Sequence, residues 1–274
     1  MGLRINNNIE SFNAHRNLSS TSSRMAKSME KLSSGFRINR ASDDAAGLGI
    51  SERMRSQING YAQASRNAQD GISLASTAEG ALHEVHSMLQ RVRELAVQHS
   101  NGTNDVAART SIEAEARALG SEIDRVIAGT QWNGVGLLNT ATAFNLQVGP
   151  NAGGTNVMTV NAVNAATNMG TLNIAAMFPG TGAGTMNITA IDTAITAISG
   201  HRGTFGAAIN RLEYTTNSLG IAQENLMAAE SRIRDVDMAM EMANFSRMQI
   251  LQESGIAMLA QANQHQSAVL KLLG

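Results

Sequence analysis

Leu82-His-Glu-Val-His-Ser-Met-Leu-Gln-Arg-Val-Arg-Glu-Leu-Ala96 decides the fold class of this 274-residue chain. Leu82, Val85, Leu89, Val92 and Ala96 step by three and four, the spacing that lines up side chains on one face of an α-helix. The prolines stand at 150 and 179, so nothing before residue 150 forces this helix to stop. It starts near Ser42-Asp43-Asp44, whose side chains cap free N–H groups and whose carboxylates suit the positive helix end. It stops near Ser100, ahead of Asn101-Gly102. A helix of that span is roughly 80 Å long, more than a compact domain needs. Gly47, Gly49 and Gly60 weaken its first turns and leave room for a break there.

A second helix follows from Asn104 or Asp105 to about Ala128, with Ile112, Ala116, Leu119, Ile123 and Val126 as its seam. The short connection predicts antiparallel packing on the first. A third helix starts near Thr185. Ile188, Ile191, Ile195, Ile198, Phe205, Ile209, Leu212, Leu219 and Leu226 hold one heptad register, interrupted at Arg202, Thr216 and Gln223; sustained heptads predict coiled-coil packing. Residues 130–184 are rich in Asn, Thr, Gly and Ala. Phe144–Val148 alternates as a strand does, Val157–Val160 and Thr171–Ile174 do so more weakly, and Asn151–Gly154 and Pro179–Gly182 are turn material. This region predicts a small β-hairpin element.

Both chain ends carry narrow apolar stripes. In residues 1–40 these are Ile5, Ile9, Phe12, Leu18, Ser22, Met25, Met29 and Leu32. In residues 233–273 they are Ile233, Val236, Met240, Ala243, Ile250, Ile256, Leu259, Val269, Leu270, Leu272 and Leu273. A lone helix with one such stripe is marginal in water and is stabilised by burying it on another helix. The two ends therefore pair. The fold class is mainly α: a long helical-bundle, coiled-coil rod with a small β-hairpin element and paired terminal helices. Residues 1–41 with 234–274 form one domain and 42–233 a central helical domain.

Composition points to assembly rather than catalysis. Aromatics are 3% of the chain, with Trp132 the single tryptophan, and there are 15 methionines. Small and flexible apolar residues suit thin, close-packed bundles. The absence of cysteine excludes disulfides and thiolate metal sites. The N-terminus lacks the apolar core of a cleavable signal peptide, and no apolar run approaches a membrane span. Net charge is −1, yet residues 1–41 hold seven basic and two acidic groups. Those cations are neither clustered nor interleaved with aromatics, so they read as a helix surface, with neither nucleic acid nor membrane as partner.

Competing chemistry is weak. Glu79, His83 and His86 share a helix face with Glu84 close by, but a catalytic zinc site needs three placed ligands, and no H-E-x-x-H spacing exists. Gly47-Leu-Gly49 and Gly180–Gly184 lack the strand context of a nucleotide loop. No Ser/His/Asp arrangement stands out. The sequence predicts no enzyme, no cofactor and no metal. The methionines of the C-terminal arm, Met238, Met240, Met242, Met248 and Met258, read as adaptable packing residues.

Many motifs in order resemble bacterial flagellin. They include Leu32-Ser-Ser-Gly-Phe-Arg-Ile-Asn39 with Ser42-Asp-Asp-Ala-Ala-Gly-Leu48, Leu89–Gln98, Glu122–Val126, Thr130-Gln-Trp-Asn-Gly134 and Phe144–Gly149. Ala229–Ile233, Gln249–Leu251 and Leu259-Ala-Gln-Ala-Asn263 continue the match, which covers about 1–150 and 185–274.

The resemblance implies a subunit that polymerises into the flagellar filament used for motility. Its terminal helices would pair in the filament's inner tube and be disordered in the free subunit. The core-packing positions would be Ile5, Ile9, Phe12, Met25, Met29, Leu32, Ile233, Val236, Met240, Ile250, Ile256, Leu259 and Leu270. It also implies export without a cleavable signal peptide, unfolded, through the flagellar export apparatus. An export chaperone, the filament cap and hook-junction proteins would be partners. The extracellular filament would be smooth and thin, because large outer domains are missing. In some flagellins Toll-like receptor 5 binds the central bundle; the matching positions are Arg91, Leu95 and Glu115. Arg91 and Leu95 lie one turn apart and are expected on a common face, Arg91 to pair with a carboxylate and Leu95 to fill an apolar pocket. A hook-associated or junction protein with the same terminal helices is the alternative.

Overall fold

A computed structural model describes residues 8–140, 142–163 and 186–273, with side chains as far as residue 265. The fold is mainly α. Its helices are α1 (Ile9–Ser34), α2 (Ala45–His99), α3 (Val106–Gly129), α4 (Ile188–Arg234) and α5 (Met238–Leu273). The strands are β1 (Gln131–Trp132), β2 (Val135–Gly136), β3 (Ala143–Gln147) and β4 (Val157–Asn161). The segment Thr171–Ile174, the turn Pro179–Gly182 and the helix start at Thr185 lie outside the described residues.

Local chemistry sets the helix ends. Asn8 caps α1, its Oδ1 accepting from Ser11 N at 2.9 Å. Gly35, at φ 74°, takes the left-handed conformation that closes the helix, where a side chain would be strained. Asp44 Oδ1 accepts from Gly47 N at 2.8 Å at the start of α2. Asp105 caps α3, accepting from Ala108 N at 2.7 Å, and Asn187 Oδ1 accepts from Ala190 N at 3.1 Å before α4.

Helix α2 runs unbroken through Gly47, Gly49 and Gly60. Packing offsets the poor helix propensity of Gly60. A Cβ there would lie 2.7 Å from Pro150 Cβ, and one at Gly71 would strike Leu146 Cδ1. These two glycines let the β3–β4 hairpin lie directly on α2, where Asn67 Nδ2 also donates to Gln147 O at 2.9 Å. The hairpin is antiparallel, with Phe144 opposite Val160 and Leu146 opposite Met158. Met158 and Val160 are buried while Thr159 between them is exposed, the alternation of a strand with one face on a core. A second, tiny hairpin joins β1 and β2 through Asn133 (φ 49°) and Gly134 (φ 78°), the turn that Asn-Gly favours.

The chain divides into two compact units. One comprises residues 57–224 and the other residues 1–56 with 225–274, so the second reaches further along α2 and α4 than the sequence boundaries at 41 and 234. In unit 57–224 a single core draws Leu82, Val85, Leu89, Val92, Leu95 and Ala96 from α2, Ile112, Ala116 and Ile123 from α3, and Ile191, Ile198, Phe205 and Leu212 from α4. Ion pairs mark the order of the helices. Arg93–Asp192 (2.6 Å) and Glu79–Arg202 (2.7 Å) set α4 antiparallel to α2. Arg91–Glu115 (2.9 Å) and the buried His99–Glu113 pair (3.1 Å) fasten α3.

Candidate assembly surface

In the unit formed by the two chain ends, α1 and α5 lie antiparallel. Asn8 Nδ2 donates to Ala262 O at 3.1 Å, and Ser28 Oγ donates to Glu241 Oε1 at 2.5 Å. A Cβ on Gly255 would lie 3.3 Å from Leu18 Cδ1. Along α1 the covered positions Ser11, Ala14, Leu18, Thr21, Met25, Ser28 and Leu32 form one row, with Glu30 and Lys31 half-buried beside it. Along α5 the row is Glu241, Phe245, Met248, Gln252, Gly255, Leu259 and Ala262, with Asn244 half-buried beside it. Both sets alternate steps of three and four, the period of a coiled-coil seam.

This seam corrects the sequence reading. Met25, Leu32 and Leu259 belong to it, and Leu18 with them. Ile9, Phe12, Met29, Met240, Ile250 and Ile256 do not: Phe12 is 73% and Ile250 67% exposed. The reason is that small and polar side chains share the seam with Leu18, Met25, Leu32, Phe245, Met248 and Leu259 and let two slender helices approach. The other large apolar residues are left on the outer faces. Ile5 lies outside the described residues, as does the side chain of Leu270.

Ile233 and Val236, half-buried, sit at a joint where the α1–α2 and α4–α5 connections meet. Phe36 and Asp235 form an antiparallel bridge. Arg37 N donates to Arg234 O at 2.6 Å, and Val236 N donates to Gly35 O at 3.0 Å. The Arg37 side chain donates to Ile233 O at 2.6 Å. Arg234 lies over the Phe36 ring, 4.8 Å from its centroid, and pairs with Glu52 at 2.6 Å. A cation over an aromatic face is attracted by the ring's quadrupole.

On the central unit, Arg91 and Glu115 are exposed and paired, and Arg91 also reaches Glu94 at 3.0 Å. These carboxylates hold the Arg91 guanidinium above its ordinary pKa, Glu115 by the strongest bond. Leu95 is 1% exposed, which corrects its expected place on the same open face as Arg91. A helix buried on more than one neighbour has a wide apolar face, and Leu95 falls inside it beside Val92 and Ala96.

Glu79 and His86 each engage another side chain. Glu79 accepts two bonds from Arg202, at 2.9 and 2.7 Å, and His86 Nε2 lies 3.0 Å from Gln90 Nε2. Among the described residues no group of three or more His, Asp or Glu side chains could hold a metal ion. An open groove of about 530 Å³ lies between the β3–β4 hairpin and α4, lined by Met158, Arg211, Tyr214 and Leu219; it offers no enclosed pocket. Among the described residues no helix is long and apolar enough to cross a membrane.

The model of the bacterial flagellin N-terminal helical region matches residues 5–143, and that of the C-terminal helical region matches 188–273. This chain belongs to the bacterial flagellin family. A flagellin of Halalkalibacterium halodurans is 52% identical to it, over 98% of this chain and 99% of the relative. A flagellin of Bacillus subtilis is 48% identical over 99% and 100%. A solved structure described as flagellar hook-associated, from Vibrio parahaemolyticus, covers 70% of this chain at a TM-score of 0.61. At 15% identity it shows a shared fold alone and lends the junction alternative no support. As a flagellin the chain is a structural subunit of the flagellar filament, outside the cell, and not an enzyme.

Proposed function

We propose that the subunit polymerises by covering the outer faces of its α1–α5 pair with the same helices of neighbouring copies. The supporting observation is the exposure of Ile9, Phe12, Met240, Ile250 and Ile256 on helices whose own seam is thin and partly polar. Burying those faces is worth about 25 cal/mol per Å² of apolar surface. The contacts are heterologous, so they extend as a helix rather than close as a ring. The helix pair is marginal alone and is completed by assembly, which agrees with terminal regions that fold on polymerising. Such a chain suits passage through the flagellar export apparatus, an export chaperone on the C-terminal arm, and delivery past hook-junction proteins to a filament cap. The filament is smooth and thin.

If Toll-like receptor 5 engages the free subunit, Arg91 and Glu115 carry that contact without Leu95. The test of the assembly reading is electron microscopy of the purified chain before and after salting out. Long uniform filaments support it. A chain that stops at small caps or rings would return the junction reading.

A further inference from the structure

Six methionines are exposed among the described residues: Met29, Met227, Met238, Met240, Met242 and Met258. All six lie in the unit that carries the chain ends, residues 1–56 with 225–274. In the other unit Met158 and Met186 are buried and Met88 packs against the core. Met25 and Met248 are half-buried in the α1–α5 seam. The contact between Ser28 and Glu241 brings Met29 to the same level of the helix pair as Met240 and Met242. Thioethers react with oxidants according to their access, and a sulfoxide turns a flexible apolar side chain into a polar one.

We propose that these exposed methionines are oxidation sites through which a two-electron oxidant, a peroxide or hypochlorous acid, blocks incorporation of the free subunit. The inference rests on the assembly reading above. The thioether sulfur gives an electron pair to the terminal oxygen of the peroxide. The S–O bond forms as the O–O bond breaks, sulfur is oxidised by two electrons, the peroxide is reduced, and water leaves. With hypochlorous acid the O–Cl bond breaks, and chloride and a proton leave. The faces that should enter an apolar contact then carry S=O dipoles, which cost free energy to bury without partners. Subunits already in the filament are shielded, so the block acts on the free chain. Because methionine sulfoxide is reducible, the block is reversible.

The experiment treats free subunits and preformed filaments with hydrogen peroxide. Sulfoxides are mapped by peptide mass spectrometry, and polymer is measured by sedimentation. Oxidised subunits should show a critical concentration raised by at least about tenfold, restored by methionine sulfoxide reductases A and B together. In filaments Met240 and Met258 should be protected. A variant with Met29, Met227, Met238, Met240, Met242 and Met258 replaced by leucine, a swap that conserves volume, is judged against its own untreated sample and should lose no polymer on treatment. Oxidised wild-type chain that pellets like the untreated chain overturns this inference alone, as does equal oxidation of these residues in filaments or equal sensitivity of the leucine variant. An untreated wild-type chain that never polymerises overturns the assembly reading and this one with it.

Discussion

Ser28 Oγ donates to Glu241 Oε1 at 2.5 Å, and Ser28 is the one buried side chain of α1, at 2% exposure. A carboxylate thus takes a hydrogen bond inside the seam that joins the two ends of the chain. Hydrogen bonds to charged groups are worth about 1.5–3 kcal/mol. Ser28→Ala should therefore raise the critical concentration for polymerisation by about tenfold or more, since tenfold corresponds to about 1.4 kcal/mol. Sedimentation at a series of protein concentrations measures it. An unchanged value would mean that this seam is absent from the filament.

Gly71 is the second test of close approach. A Cβ there collides with Leu146 Cδ1 and comes within 3.2 Å of Leu212 Cδ1. Gly71→Val should destabilise the central unit by about 2 kcal/mol through overpacking. Trimming the opposing side chain in a Gly71→Val/Leu146→Ala double variant should return part of that loss. Urea denaturation followed by circular dichroism reads both.

Arg202 occupies the apolar register of α4 and spends its guanidinium on Glu79. Arg202→Leu alone leaves that carboxylate, about a third exposed, without its partner and should cost about 1 kcal/mol. Arg202→Leu with Glu79→Gln should lie within about 1 kcal/mol of the parent, because exchanging a whole ion pair for packed neutral groups is often neutral. A double-mutant cycle measured by denaturation decides it, and additive losses would contradict the pairing.

Burial lowers the pKa of His201 below its ordinary value of 6.5. The unfolded chain then binds the proton more readily than the folded one. Stability from this group is present above the unfolded value and is lost as pH falls below about 6.5. His201→Gln should shrink the drop in melting temperature between about pH 7.5 and 5.5. A drop of the same size in the variant would assign the acid sensitivity elsewhere.

The central unit was legible because its helices bury large apolar residues at helical spacing. Leu82, Val85, Leu89, Val92 and Ala96 are all within 2% exposure. The same reasoning failed at Leu95, since a stripe drawn for one contact face is too narrow for a helix packed on two sides. It failed at the chain ends for the opposite reason. Thr21, Ser28, Gln252 and Gly255 share the seam with Leu18, Met25 and Leu259, and none of those four signals burial by its hydrophobicity. Gly60 reads as a weakness until Pro150, ninety residues on, is seen against it. Asn133-Gly134 is a hairpin-turn dipeptide, but strands of two residues carry no alternation to reveal the hairpin.

Ile250 divides the seam from the outer face most sharply. It is 67% exposed, while Leu259, on the same helix, is half-buried against α1. The decisive measurement is polymerisation of Ile250→Asp, by electron microscopy and sedimentation, with the helical signal of the free subunit recorded beside it. Ile250→Asp should give a soluble subunit with unchanged helicity that forms no filaments under salting-out conditions that polymerise the parent. Normal filaments from Ile250→Asp would contradict the claim that neighbouring copies cover the outer faces of the terminal helices.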